Sequence, residues 1–153
     1  MPTVRVRFVH GRGLAFRLIQ WFTKSKWGHV EHIMRDGSLI SADFPGGVVH
    51  LAAGWQDGAG VTSETRTVEV TEAQANAIEK FLLAQVGKGY DLTALLWFVF
   101  GVHWQSGDRW FCSELEDAAF FTAGVDLLPG GGLPFRASPA LLHTSPLLKA
   151  PDA

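Results

Sequence analysis

The first part of the chain alternates apolar and polar positions in the way that short β-strands do. The run VRVRFV predicts a strand at Val4–Val9. Two apolar-rich runs flank the dipeptide Asp36-Gly37, which is typical of tight hairpin turns, and predict strands at about His29–Met34 and Leu39–Asp43. Two further strands are expected, one in VVHLA at 48–52 and one at about Arg66–Val70.

Helical patterns occupy the segments between and after these strands. A capping box at Thr71-Glu72-Ala73-Gln74 predicts a helix that runs to about Val86. Other helices are expected in LAFRLIQWFTKSKW (14–27), at Leu92–Phe100, at Cys112–Ala123 with Gly124 closing it, and as a short turn in the tail SPALLHTSPLL. We find no repeat and no linker. The sequence therefore predicts one α+β domain over residues 1–153, with an antiparallel sheet packed against helices.

Composition and charge narrow the class of protein. The chain has 153 residues, of which 47% are hydrophobic and 18% charged, as in a compact globular protein. A formal charge of −2 and the lack of a basic run argue against a nucleic-acid partner. The longest apolar run, Leu92–Val102, is shorter than the roughly 20 residues of a membrane-spanning helix and lacks flanking lysines, so we expect a core helix rather than membrane contact.

The amino terminus bears on where the protein works. The stretch MPTVRVRFVHGRG contains no apolar core of signal-peptide length. The default expectation is therefore a cytoplasmic protein. Delivery outside the cell by phage lysis or by a secretion system is the alternative.

The chain has one cysteine, Cys112, which excludes an internal disulfide. It stands where a helix is expected to begin, and the free N–H groups and dipole of a helix start favour a thiolate. Glu114, Glu116 and Asp117 follow closely, and their negative charge opposes a thiolate, so a cation is needed nearby. The alternative is a small buried hydrophobic residue, which is what most lone cysteines are.

A histidine would supply that cation, and His29 is the leading candidate. On the predicted strand, His29 and Glu31 share one face and His32 takes the other, which argues against a joint metal site. No further ligands have zinc spacing, so no metal or other cofactor is expected. His29 and Glu31 form either a base with its orienting acid or a polar sheet face in water. The other histidines are expected in surface, turn or strand positions: His10, His50, His103 and His143.

Three segments in this order carry a family resemblance: GHVEHIMRDGSLISA, GKGYD and WFCSELEDAAFFTAG. Together they resemble the circularly permuted branch of the NlpC-type papain-like cysteine amidases and peptidases. That branch includes YiiX-like bacterial proteins and relatives of lecithin:retinol acyltransferase. The resemblance spans roughly Arg17 to Leu147, and it implies a permuted papain-like fold in which the histidine precedes the cysteine.

The resemblance also implies roles for particular residues. Cys112 matches the nucleophile and His29 the general base. Ser41 occupies the third polar position, where many members carry glutamate or histidine. Glu31 is the carboxylate we favour to orient the imidazole, with Asp43 as the other one nearby. The tyrosine of the family's YD element is Tyr90, which lines the cleft, donates to an oxyanion, or simply packs at a helix end.

The resulting prediction is a cysteine-dependent hydrolase of amide bonds, of peptide or isopeptide type, that works through a Cys–His acyl-enzyme. Cell-wall peptides are one substrate class that the resemblance implies. An acyltransferase or thioesterase acting on lipid acyl groups is the alternative. A non-catalytic binding module of the same fold also stays open, because Ser41 replaces an acidic residue. A structural protein that uses its six tryptophans for contact ranks third. The sequence does not predict an oligomeric state.

Overall fold

The computed structural model describes residues 1–11, 13–91, 109–130 and 137–150. The predicted helix at Leu92–Phe100 lies outside these ranges, as do His103 and most of the predicted loop PGGGLP. The described residues form a mixed α and β architecture in which an antiparallel sheet packs against helices, in agreement with the predicted class.

Five antiparallel strands form the main sheet, in the order β4-β3-β2-β1-β5. The predicted hairpin joins β2 to β3 through a turn in which the N–H of Gly37 donates to the carbonyl of Met34 at 2.9 Å. The strand predicted at about Arg66–Val70 begins earlier, at Thr62. The strands are β1 (Thr3–His10), β2 (His29–Ile33), β3 (Leu39–Asp43), β4 (Gly47–Leu51) and β5 (Thr62–Glu69).

Strand β1 lies inside the sheet, and its alternation sorts its side chains onto two faces. Val4, Val6 and Phe8 are buried in the hydrophobic core. Arg5 and Arg7 point to the opposite face, because successive side chains of a strand alternate. Arg7 pairs in register with Glu31 of β2, so the two charges become cross-strand neighbours.

The helices are α1 (Leu14–Thr23), α2 (Glu72–Gln85), α3 (Cys112–Thr122) and α4 (Pro139–His143). The capping box of α2 is confirmed, with Thr71 and Gln74 exchanging hydrogen bonds. Helix α1 ends four residues before the predicted Trp27, where Lys24 adopts a left-handed conformation. Gly124 follows α3 with φ of +75°, as predicted. Among helices in the described ranges, none is long and apolar enough to cross a membrane.

A short parallel pair, β6 (Gly89–Tyr90) and β7 (Arg109–Trp110), was not predicted. It follows a segment that closes the free edge of β4: the N–H of Val48 donates to the Lys88 carbonyl at 2.8 Å. This approach needs glycine at position 47, because a Cβ there would lie 2.2 Å from the Lys88 oxygen and the residue has φ of +79°.

Candidate active site

Cys112 is the first residue of α3, directly after the N-cap Phe111. The first hydrogen bond of the helical ladder runs from the N–H of Leu115 to the Phe111 carbonyl, at 2.9 Å. The N–H groups of residues 112–114 therefore precede the ladder and are directed out of the helix start. Phe111 and Cys112 are buried, with 0% and 2% exposure, so the thiol is held at a fixed depth.

Helix α3 is tied to the sheet by a buried polar pair. His32 Nδ1 lies 2.7 Å from Glu116 Oε1, and both side chains are almost fully buried. At the helix start, the Ser113 hydroxyl donates to the Ala137 carbonyl. These contacts fix the position of Cys112 relative to β2. His32 is thus engaged with α3, and it does not share a site with His29, as the strand alternation predicted.

The structure places His29, the first residue of β2, where it interacts with Cys112 at the start of α3. His29 is buried, which by itself lowers the pKa of an imidazole. The charge interaction with Cys112 and hydrogen bonds to Asp43, Cys112 and Glu31 outweigh that effect, so the pKa of His29 is raised well above its ordinary value. The imidazole therefore favours its protonated form, which is the cation that the sequence analysis required.

Three oxygens surround the Nε2 atom of His29. Ser41 Oγ lies at 2.7 Å, Asp43 Oδ1 at 3.1 Å and Glu31 Oε1 at 3.5 Å. The Ser41 hydroxyl donates to Asp43 Oδ1 at 2.9 Å. Burial alone would raise the pKa of Asp43. Its hydrogen bond to His29, the imidazolium charge and the hydrogen bond from Ser41 have a larger, opposite effect, so the pKa of Asp43 is lowered overall. Asp43 is therefore ionised at neutral pH.

Glu31, the carboxylate that the sequence analysis favoured, has a second partner. Its Oε2 accepts from Arg7 Nη1 at 3.0 Å, and both side chains are buried. Arg7 also binds Asp57, from the segment after β4. The role of Glu31 in orienting His29 stays a prediction. Sequence reasoning missed Arg7, although the arginines of VRVRFV were a visible signal of a charged sheet face.

Tyr90 lies beside the thiol on β6. Its ring contacts Phe44 and Phe111, with centroid separations of 5.8 and 5.9 Å. Burial, followed by electrostatic interactions with Cys112 and nearby carboxylates, raises the pKa of Tyr90. The phenol therefore stays protonated and can donate a hydrogen bond. Phe44 is 55% exposed and extends this aromatic surface toward solvent.

Glu114 bears on the charge at the helix start. Burial and the neighbouring Asp91 raise the pKa of Glu114 to about 8, against a hydrogen bond with the Phe111 backbone that lowers it. This carboxyl is mostly protonated at pH 7, and Glu116 is paired with His32. The acidic residues after Cys112 therefore oppose a thiolate less than their number in the sequence suggested.

An aromatic residue of α1 covers the other side of the imidazole. The Phe16 ring packs against His29 with centroids 5.8 Å apart. Gly28 permits this contact, since a Cβ there would lie 2.8 Å from the Phe16 ring. The sequence analysis placed Phe16 within a predicted helix and gave no reason to expect it at the site.

Two other histidines lie on polar networks away from the thiol. His50 Nε2 lies 2.8 Å from Ser38 Oγ, whose hydroxyl donates to Asp36 Oδ1 at 2.6 Å. His143 Nε2 lies 3.2 Å from Glu64 Oε1. Within residues 1–11, 13–91, 109–130 and 137–150, no group of three or more His, Cys, Asp or Glu side chains is placed to hold a metal ion.

Comparison with known proteins identifies a structural relative. No family model matches the sequence, and no curated protein matches it. The crystal structure of YiiX from Escherichia coli O157:H7, described as a metalloprotein, superposes with a TM-score of 0.69. The match covers 98% of this chain and 96% of that one, at 21% sequence identity. At this identity the likeness concerns the fold: over nearly its whole length, the chain has a YiiX-like fold.

Proposed function

We propose that the protein is a cysteine-dependent hydrolase of the permuted papain-like, NlpC type, which cleaves amide bonds through an acyl-enzyme. The observation that carries the proposal is that Cys112, at the start of a helix, and His29 are both buried and interact, which raises the pKa of the imidazole. A nucleophile in contact with a base, which is itself bonded to a third polar group, is the arrangement that activates a thiol.

In the acylation step, His29 accepts the thiol proton and the Cys112 sulfur attacks the substrate carbonyl carbon. The negative charge on the carbonyl oxygen is met by the N–H of Cys112 at the helix start, with the Tyr90 hydroxyl as a second candidate donor. The imidazolium of His29 then gives its proton to the leaving amine as the C–N bond breaks. The products of this step are a thioester on Cys112 and a free amine.

In the second step, water attacks the thioester while His29 takes a proton from it. The C–S bond breaks, the proton returns to the sulfur, and a carboxylic acid leaves. Burial of the pair favours this chemistry, because charge interactions are stronger where water is excluded. The described residues supply the nucleophile, the base and an oxyanion donor.

The favoured substrates are peptide-like amides, including cell-wall peptides. The alternative is transfer or hydrolysis of lipid acyl groups, and the half-exposed Phe44 beside Tyr90 is the observation that favours it, since this apolar surface suits an acyl chain. A matched pair of probes separates the two classes: a set of short peptide amides and cell-wall stem peptides, and a set of acyl thioesters and phospholipids.

The test is turnover of these probes by Cys112→Ala, with a substitution of the exposed His50, His50→Ala, as the control. We expect Cys112→Ala to abolish turnover, because the thiol is the nucleophile. The variant should keep the wild-type circular dichroism spectrum, because alanine fits within the space that cysteine occupies. An acyl adduct on Cys112, seen by mass spectrometry after rapid acid quenching, would support the thioester. Full turnover by Cys112→Ala would exclude the proposal.

A substrate-independent test separates the enzyme from a binding module. Iodoacetamide alkylates the thiolate, so the pH midpoint of the alkylation rate reports how readily Cys112 ionises. We expect a midpoint well below the value of about 8.5 for a free thiol. A midpoint near that value would favour the non-catalytic alternative.

A further inference from the structure

We propose that Asp43, acting both directly and through the hydroxyl of Ser41, is the positioning residue that sets the tautomer and charge of His29, and that Glu31 is held mainly in an ion pair with Arg7. The inference rests on the proposed function, because it concerns the base of that same thiol site. It assigns to Ser41 and Asp43 together the role that a single third residue would otherwise have.

The hydrogen positions follow from counting donors. Ser41 has one hydroxyl hydrogen and donates it to Asp43 Oδ1, at 2.9 Å. Its oxygen can therefore only accept from His29 Nε2, at 2.7 Å, so Nε2 carries the hydrogen. Asp43 Oδ1 lies 3.1 Å from the same nitrogen and accepts part of that bond. A neutral His29 then has its lone pair on Nδ1, the nitrogen left for the Cys112 thiol.

This arrangement also explains how the site stabilises a cation. When the thiol proton moves to Nδ1, the imidazole becomes positive and its bonds to Ser41 and Asp43 become charge-assisted. Asp43 reaches His29 both directly and through the polarised serine hydroxyl. Serine alone accepts a hydrogen bond but offers no charge. The aspartate two positions later on β3 supplies the charge that serine lacks.

Glu31 is less suited to this part. Its nearer oxygen is 3.5 Å from Nε2, so its hydrogen bond to His29 is longer and weaker than that of Asp43 at 3.1 Å. Its other oxygen is bonded to Arg7 at 3.0 Å, and the positive guanidinium reduces the electrostatic stabilisation that the carboxylate gives to a protonated His29. The groups that face His29 are thus Glu31 on its own strand, Ser41 and Asp43 on β3, Cys112 on α3 and the apolar Phe16 on α1, with Arg7 on β1 behind Glu31.

The experiment is the pH profile of Cys112 alkylation by iodoacetamide, in the full chain, for Asp43→Asn, Ser41→Ala and the double variant. Asp43→Asn should raise the midpoint by about one pH unit and slow alkylation by about tenfold at pH values below the wild-type midpoint, because loss of a charged hydrogen bond destabilises the imidazolium. Ser41→Ala should produce a smaller shift in the same direction. The double variant should match Asp43→Asn, since Ser41 acts through Asp43.

The chain supplies a matched control in Asp36→Asn, which makes the same change in the His50–Ser38–Asp36 chain and should leave the profile unchanged. Glu31→Gln should shift the midpoint less than Asp43→Asn does. A larger shift for Glu31→Gln, or an unchanged midpoint in Asp43→Asn, would overturn this assignment. A wild-type midpoint like that of a free thiol would instead overturn the proposed function, so the two failures are distinguishable.

A second measurement needs no change at Ser41 or Asp43. In Cys112→Ala, His29 has lost its proton donor, and the nitrogen chemical shifts of its imidazole report the tautomer of the neutral ring. The signals are assigned by comparison with Cys112→Ala/His29→Gln. The role assigned to Ser41 and Asp43 requires hydrogen on Nε2, and hydrogen on Nδ1 would contradict it.

Discussion

Among the residues that the structure describes, two histidine–serine–aspartate chains have similar geometry, and the first of them lies against the thiol of Cys112. In the first, His29 Nε2 lies 2.7 Å from Ser41 Oγ, which donates to Asp43 at 2.9 Å. In the second, the corresponding distances are 2.8 Å from His50 to Ser38 and 2.6 Å from Ser38 to Asp36.

The difference lies in what surrounds each imidazole. His29 is 7% exposed and in contact with Cys112, and its pKa is raised well above the ordinary value. His50 is exposed, and its aspartate belongs to the hairpin turn, where the N–H of Ser38 also donates to Asp36 at 2.8 Å. The comparison teaches that the same hydrogen-bonded chain occurs both beside a hairpin turn and at a buried site. What distinguishes His29 is its burial and its interaction with Cys112.

The largest expected effect comes from removing each histidine in turn. We expect His29→Ala to lower turnover by roughly 10²- to 10⁴-fold, the range typical of a lost general base, and to raise the alkylation midpoint toward that of a free thiol. His50→Ala should change neither quantity by more than about twofold. Comparable losses in both variants would remove the distinction between the two chains. Turnover of an amide probe and iodoacetamide labelling are the measurements.

A second prediction extends the contrast between buried and exposed charge to stability. Arg7→Met should destabilise the fold by about 3–5 kcal/mol, because it leaves Glu31 buried without its cation. Arg35→Met, which removes an arginine bonded to Glu79 on the exposed surface, should cost much less. Urea unfolding monitored by circular dichroism measures both. Equal costs would show that burial of the Arg7 pair is not what matters.

A third prediction concerns the pH dependence of stability. The folded-state pKa of His29 lies above its unfolded value, so the stability it contributes is complete below about pH 6.5 and is lost as pH rises through the folded pKa. The melting temperature of the wild type should therefore fall relative to His29→Gln between pH 6 and 9. His50→Gln should run parallel to the wild type. An advantage of the wild type that grows with pH would reverse the sign and contradict the assignment.

The smallest effect is expected for Ser38→Ala. It removes the hydroxyl that links His50 to Asp36, so it should loosen the hairpin turn and leave the alkylation midpoint of Cys112 unchanged. The measurement is the same pH profile, compared with that of Ser41→Ala. A shift as large as that of Ser41→Ala would mean that the thiol senses the turn and that the two chains are coupled.

The sequence predicted those parts of the fold that depend on local signals. The turn at Asp36-Gly37, the capping box at Thr71 and the helix that begins at Cys112 are each encoded within a few residues, and the structure contains all three. The meeting of His29 and Cys112 came from the family resemblance, because no local pattern brings together residues that far apart in sequence.

The partner of the imidazole could not be chosen in the same way. Glu31 shares a strand face with His29, but residues two apart on a strand are separated by roughly 6.6 Å, whereas cross-strand neighbours are roughly 4.5–5.5 Å apart. Ser41 and Asp43 lie on the next strand, where Ser41 pairs in register with Glu31, and each places an oxygen nearer to Nε2 than Glu31 does. The same rule places Arg7 against Glu31. The two-residue strands β6 and β7 were missed because so short a pairing leaves no periodic pattern.

Gly47 has a consequence beyond the edge of the sheet. The chain that seals strand β4 at Lys88 continues within two residues into Tyr90, which stands beside the thiol. An alanine at position 47 would push the Lys88 carbonyl outward, and the phenol would have to move with it. The position of the Tyr90 ring is thus set in part by the absence of a Cβ at position 47, because one segment both closes the edge of β4 and carries the tyrosine.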